Sequence, residues 1–199
     1  MLQTVVPFRG EAAKQRLEAS REERASLALA MLGDVLAAAT AVGRTLLSTA
    51  DPEARSLARE LGAETVADPG GGQGAAVAAV LAQAPAGVTL VVNADVPCVV
   101  PRDLRTLAGP AGLGVLGLVE ARDGTTNALA LPDPALFAPL YGGGSAARFR
   151  DHADAHGVTA VALAIPNLAD DVDTLEDLER VALRAGPRTQ AALGQLVRP

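Results

Sequence analysis

A chain of 199 residues with 49% hydrophobic and 20% charged side chains has the composition of a soluble globular protein, long enough to bury one core as a single domain, residues 1–199. Its formal net charge of -6 repels polyanions, and 2% aromatics leave few platforms for stacking bases, so a nucleic-acid partner is not expected. The one cysteine, Cys98, excludes an internal disulfide and fits a reducing cytoplasm.

The first element is a short strand over residues 4–7, where a leader peptide would need a longer apolar run. A long apolar helix is expected over 22–41; Gly33 and Asp34 interrupt its apolar run, and no stretch is suited to crossing a membrane. A second strand follows over 45–49. Asp51-Pro52-Glu53 then opens a helix, with Asp51 as cap and Pro52 at the first position, and Gly62 closes it. A brief strand over 64–67 leads through the glycine run 70–74 into a helix over 75–84. Residues 88–92 are continuously apolar, as in a strand buried on both faces.

The second half continues with a short helix over 102–108, strands over 113–120 and 127–131, and a helix over 146–155. A strand over 158–165, a helix over 174–185 and a last helix from Pro187 complete the chain. This alternation predicts an α/β sandwich around a mostly parallel sheet. Ligands in such sheets bind beyond the C-terminal ends of strands, which selects the segments after Pro7, Ala67 and Val92.

After Pro7, the cations Arg9, Lys14 and Arg16 fall within eight positions, around Gly10. Backbone N–H groups and cations in such a loop can hold a triphosphate, although Gly-Lys-Ser/Thr is absent and a solvated basic turn has the same composition. Lys14 is the only lysine among seventeen Lys and Arg residues. Gly72-Gln73-Gly74 lets a nucleobase approach the backbone, or simply makes a flexible connection; a dinucleotide fingerprint is a poor fit, because no acidic residue ends the next strand in the right setting.

Asp95, at the end of the central strand, is placed to hold Mg²⁺ bridging phosphates, or to cap a turn. Asp171 and Asp173 form a second carboxylate group. Thr174 and Asp177 have capping-box spacing, so Asp173 or Thr174 can serve as a helix cap, whereas Asp171 has no such duty. Thr125, Thr126, Gly142 and Ser145 offer hydroxyls and backbone N–H groups to a phosphate or carboxylate, or are ordinary turns. His152 and His156 lack the glutamate of a zinc-protease motif and suit a surface pair, and Cys98 suits a small buried apolar group.

Together these segments resemble the 2-phospholactate/phosphoenolpyruvate guanylyltransferases of coenzyme F-420 biosynthesis. The resemblance spans most of the chain. It rests on Pro7, Arg9, Ala13, Lys14, Arg16 and Leu17; on Ala94-Asp95 and Pro97; on the Gly124-Thr125-Thr126 turn and the loop to Ser145; on Asp171 to Thr174 with Asp177-Leu178; and on Gly186 to Thr189. The family usually carries Lys at the place of Arg9, and Gly-Leu-Asn at the place of Gly72-Gln73-Gly74.

The resemblance implies a three-layer α/β/α nucleotidyltransferase fold, Rossmann-like and GT-A-like. It implies Mg²⁺ as cofactor, GTP and a small phospho-acid as substrates, and a cytoplasmic enzyme; a homodimer is compatible with it. Lys14, Arg9 and Arg16 are then catalytic, and Pro7, Gly10, Gly72, Gln73 and Gly74 hold the nucleotide. Thr125, Thr126, Gly142 and Ser145 hold the acceptor, and Asp95, Asp171 and Asp173 hold the metal. The alternatives are a relative with another nucleotide or acceptor, of molybdopterin or sugar-phosphate type, and a non-catalytic nucleotide-binding regulator.

Overall fold

The computed structural model describes residues 2–10 and 20–196. In chain order the elements are β1 (Gln3–Pro7), α1 (Arg21–Thr40), β2 (Arg44–Ser48), α2 (Pro52–Glu60), β3 (Glu64–Val66), α3 (Gln73–Leu81), β4 (Thr89–Val92) and α4 (Pro101–Ala111). They continue with β5 (Leu116–Glu120), β6 (Thr126–Leu131), a 3-10 turn (Pro134–Leu136), α5 (Ser145–Ala155), β7 (Ala160–Ala162), α6 (Pro166–Ala169), α7 (Leu175–Val181) and α8 (Pro187–Leu196).

Adjacent residues of a strand point to opposite faces. In β1, Val5 joins Val77, Leu129 and Phe149, while Val6 joins Leu36, Leu47 and Leu104. In β4, Leu90 and Val92 share the cluster of Val6, and Val91 that of Val5. Both faces are therefore covered: α1, α2 and α4 on one, α3 and α5 on the other. The sheet has the order β3-β2-β1-β4-β6-β5-β7. β6 runs antiparallel to β4 and β5, and the other pairings are parallel. This is the mostly parallel three-layer sandwich expected. The β1 and β4 strands lie side by side, so the loops that follow them open at the same sheet edge.

Local chemistry sets the helix ends. Ser20 and Glu23 form a reciprocal capping box at the start of α1. Asp51 caps α2 through the N–H groups of Glu53 and Ala54 at 2.8 and 3.1 Å. The α1 helix runs unbroken through Gly33 and Asp34, and both serve α8. Asp34 is 6% exposed and accepts the N–H groups of Arg188 (3.1 Å) and Thr189 (2.9 Å). Gly186 has no side chain to cap α8, and a Cβ there would lie 2.3 Å from Asp34 Cγ. A residue on α1 thus caps a helix more than 150 positions later.

Several expected boundaries shift. The strand expected over 158–165 is only Ala160–Ala162, because it pairs on one edge alone and Pro166 opens α6. The strand expected from 113 starts at Leu116, after the left-handed Gly114. The helix expected over 102–108 runs from Pro101 to Ala111, with Pro110 in its last turn. The helix expected over 174–185 is the shorter α7, capped by Thr174, and α3 starts two residues early, at Gln73.

Candidate active site

A cleft opens beyond β1 and β4, lined by Pro7, Arg9, Gly10, Gln73, Asn93 and Asp95 with the apolar floor of Phe8, Ala28 and Met31. Arg9 is exposed and Gly10 is left-handed (φ 67°), so the turn brings the chain away from β1 without a side chain in the way. Gly70, Gly71 and Gly72 all have positive φ, which carries the chain from β3 to Gln73, at the head of α3 and on the cleft wall. Gly72 faces open space, whereas Gly74 lies against Pro139, where a Cβ would come within 2.6 Å. Gly74 therefore lies in the first turn of α3, not in the glycine loop where the sequence placed it, and is needed for close packing against Pro139. Lys14 and Arg16 lie outside the described residues.

Asp95 and Asp171 are brought together by the backbone: Val172 N–H donates to the Asp95 carbonyl at 3.0 Å. Burial, then the negative charge of Asp95, pushes the Asp171 carboxyl up to about 6, against a bond from Asn127 that favours the ionised form; Asp173 adds to the upward push. The cost of ionising Asp171 beside Asp95 would be relieved by a cation held between them. Among the described residues no group of three or more His, Cys, Asp or Glu forms a ready-made metal cage. A Mg²⁺ held by one or two carboxylates, waters and substrate phosphates does not require one, so Asp95 and Asp171 fit that role.

The capping duty in this turn falls to Thr174. Its hydroxyl accepts from Asp177 N–H at 3.2 Å, and Asp177 Oδ2 accepts from the N–H groups of Asp173 and Thr174. Burial would raise the Asp177 carboxyl, but the bonds from Thr174, Arg180 and these two N–H groups outweigh it and hold it down at about 2. Asp170 points the other way, 6% exposed among Arg122, Arg180 and Arg184. Those arginines outweigh the effect of burial and keep it ionised.

Thr126 and Ser145 are adjacent and buried, with Ser145 Oγ donating to Thr126 Oγ1 at 3.1 Å. Thr125 folds onto Asp123, whose Oδ1 accepts both its N–H and its hydroxyl. Gly142 (φ 108°) and Gly144 (φ 70°) shape the loop into α5, and Arg148 braces it through the carbonyls of Leu140, Tyr141 and Gly143. Thr126 borders the cleft through Asn93, whose Nδ2 donates to the Thr126 carbonyl at 3.3 Å. The rings of His152 and His156, at the C-terminal end of α5, lie 4.2 Å apart and tilted at 45°, each bonded to a backbone oxygen.

Asn127 is the residue that sequence reading passed over. It is 1% exposed, in β6, and bridges Asn93 to Asp171. The signal was present: a carboxamide followed in its strand only by Ala and Leu costs free energy unless it is bonded.

Residues 2–193 match the family described as Guanylyl transferase CofC like. The phosphoenolpyruvate guanylyltransferase of Nocardia farcinica is 38% identical over 185 residues, covering 86% of this chain and 80% of its own. That of Streptomyces scabiei is 37% identical over 213 residues, covering 98% and 97%. In structure the chain is similar to a nucleotidyl transferase from Methanothermobacter thermautotroptrophicus, with TM-score 0.69 and 19% identity over 98% of this chain and 99% of that one.

Proposed function

This chain belongs to the CofC-like guanylyl transferase family, and from that premise we propose that it joins GTP to phosphoenolpyruvate or 2-phospho-L-lactate in the cytoplasm, as a single-domain, Mg²⁺-dependent enzyme. An oxygen of the acceptor's phosphate forms a bond to the α-phosphorus of GTP. The bond from that phosphorus to the bridging oxygen breaks, and pyrophosphate leaves with the electron pair. A phosphate monoester is largely dianionic near neutral pH (second pKa ~6), so no base has to remove a proton. Positioning and charge neutralisation are then sufficient.

The observation that carries the reading is the pairing of Asp95 and Asp171 beside the cleft, where the two would hold the cation. When bound, it supplies positive charge to the phosphates. Pro7, Arg9, Gly10, Gly72, Gln73 and Gly74 take the nucleotide. Asp173 adds its negative charge beside Asp171 as a further group toward the cation, and Lys14 and Arg16 meet the phosphates with Arg9. The backbone of Thr126 and of the Gly142–Ser145 loop, with Thr125 and the Ser145–Thr126 hydroxyls, receives the acceptor's phosphate or carboxylate. The test is pyrophosphate release with each of the four ribonucleoside triphosphates, with and without each phospho-acid. Release with GTP and a phospho-acid together is expected. No release with any phospho-acid, or equal release with all four nucleotides, would sink the reading.

Lys14 should not tolerate its nearest substitute. This chain uses arginine at every other basic position. An ammonium is a compact point charge with rotatable donors, whereas guanidinium is a broad planar fork that displaces a ligand fitted to the smaller head. Lys14→Arg is expected to lower kcat/KM for GTP at least tenfold, about 1.4 kcal/mol, with little change in Tm. Wild-type kinetics in that variant would show that the position needs charge alone.

A further inference from the structure

An unbroken row of side-chain amides joins the cleft to Asp171. Gln73 Nε2 donates to Asn93 Oδ1 at 2.6 Å. Asn93 Nδ2 donates to Asn127 Oδ1 and to the Thr126 carbonyl, both at 3.3 Å. Asn127 Nδ2 donates to Asp171 Oδ1 at 3.2 Å and to the Ala169 carbonyl at 3.3 Å.

A carboxamide has a donor end and an acceptor end of almost the same shape, so its orientation has to be argued from its partners. Here backbone carbonyls decide it. The Ala169 carbonyl only accepts, so the NH₂ of Asn127 must face it; the Thr126 carbonyl fixes Asn93 in the same way. With its NH₂ committed, Asn93 can offer Gln73 nothing but its oxygen. Gln73 must then spend its NH₂ on Asn93, since turning it over would set two carbonyl oxygens against each other at about the 2.6 Å of the present bond. What remains is Gln73 Oε1, an acceptor on a residue that lines the cleft. It makes no hydrogen bond to the described residues.

We infer that Gln73 Oε1 is the acceptor that reads the edge of the nucleobase, and that its polarity is set by the row behind it. This inference rests on the proposed function, in which the cleft holds the nucleotide. Guanine meets such an oxygen with donors, its N1–H and 2-amino group. Adenine brings the lone pair of N1 to the corresponding place, so two acceptors would face each other. A site that offers one hydrogen-bonding sense rejects the wrong ligand by leaving buried polar groups unpaired, a much stronger filter than shape. Asn93 and Asn127 act here as positioning residues, because neither needs to touch the base to hold Gln73 in one sense.

The test uses the full chain and two readouts, equilibrium binding by calorimetry and turnover. The probes are GTP, ATP, inosine triphosphate, which lacks the 2-amino group, and 1-methyl-GTP, which lacks the N1–H. In the wild type, ATP and at least one of the two guanine analogues should bind at least tenfold more weakly than GTP. In Gln73→Met, of similar length but with no comparable acceptor, GTP and the same analogues should bind within about threefold of one another. KM for the phospho-acid should stay within about twofold. Wild-type binding that treats GTP and its two analogues alike overturns the inference without any variant, so a poorly folding Gln73→Met does not shield it. Undiminished discrimination in Gln73→Met also overturns it. Selective binding without turnover would leave the inference standing and remove the proposed function. Turnover with unselective binding would do the reverse, and failure of every nucleotide to bind would remove both.

Discussion

Asp171→Asn is expected to stop turnover while making the metal-free protein more resistant to heat at neutral pH. The carboxyl of Asp171 is raised to about 6 by burial and by Asp95. A shift of ~2 units from an ordinary aspartate corresponds to roughly 3 kcal/mol at most. For an acid whose native pKa is raised, the folded chain holds the extra proton between about 4 and 6. Stability from this group therefore falls as pH rises through that window, and the whole cost is present above about 6. An asparagine carries no charge and its oxygen can still accept from Asn127. In chelator the variant's Tm should exceed the wild type's by several degrees at pH 7.5, with the gap closing towards pH 4. Its kcat/KM should fall at least about a hundredfold, near 2.7 kcal/mol, if Asp171 holds the cation as proposed. Activity close to wild type would reduce Asp171 to a structural residue, and a lower Tm at pH 7.5 would refute the electrostatic account.

The largest loss of stability is expected from Asp34→Ala. It would leave the N–H groups of Arg188 and Thr189 without their acceptor where α8 meets α1. Thr189 is fully buried, so water cannot readily replace the carboxylate. An unsatisfied buried donor costs roughly 1–3 kcal/mol, and the carboxylate also sits at the positive end of α8. A total of about 2–4 kcal/mol should lower Tm by roughly 5–12 °C in a protein of this size. Asp34→Asn keeps one acceptor oxygen and should fall between. A Tm within about 2 °C of wild type in Asp34→Ala would mean that α8 is held by its apolar contacts alone.

What could be read from the sequence was what short-range chemistry decides. The continuous apolar run before Asp95 gave a strand buried on both faces, and with it the end of the sheet where the candidate cleft opens. Asp51 and Thr174 announced their helices, because a cap is defined within four residues. Asp95 and Asp171 could be named separately, but only the bond from Val172 to the Asp95 carbonyl puts them together. Pairing order across a sheet is a long-range property, so the insertion of antiparallel β6 between β4 and β5 had no local signature. The role of Asn127 depends on that insertion, which lays it against Asn93. The function of Asp34 was hidden likewise: inside an apolar helix it reads as an interruption, and its two partners come from the far end of the chain.

That distance has a consequence for how the protein is made. Synthesis at roughly 5–20 residues per second separates Asp34 from Thr189, 155 positions later, by roughly 8–30 s. During that interval the strands β2 to β7 can emerge and join β1 in the sheet, but the buried carboxylate on α1 still lacks its two N–H groups. The Pro97 carbonyl, two residues beyond Asp95, likewise waits for Gly186 N–H, at 2.8 Å in the finished fold. The segment that carries Asp95 is therefore locked late in synthesis. A nascent chain arrested before Gly186 would have all seven strands of its sheet but lack the bond that ties down the segment after Asp95.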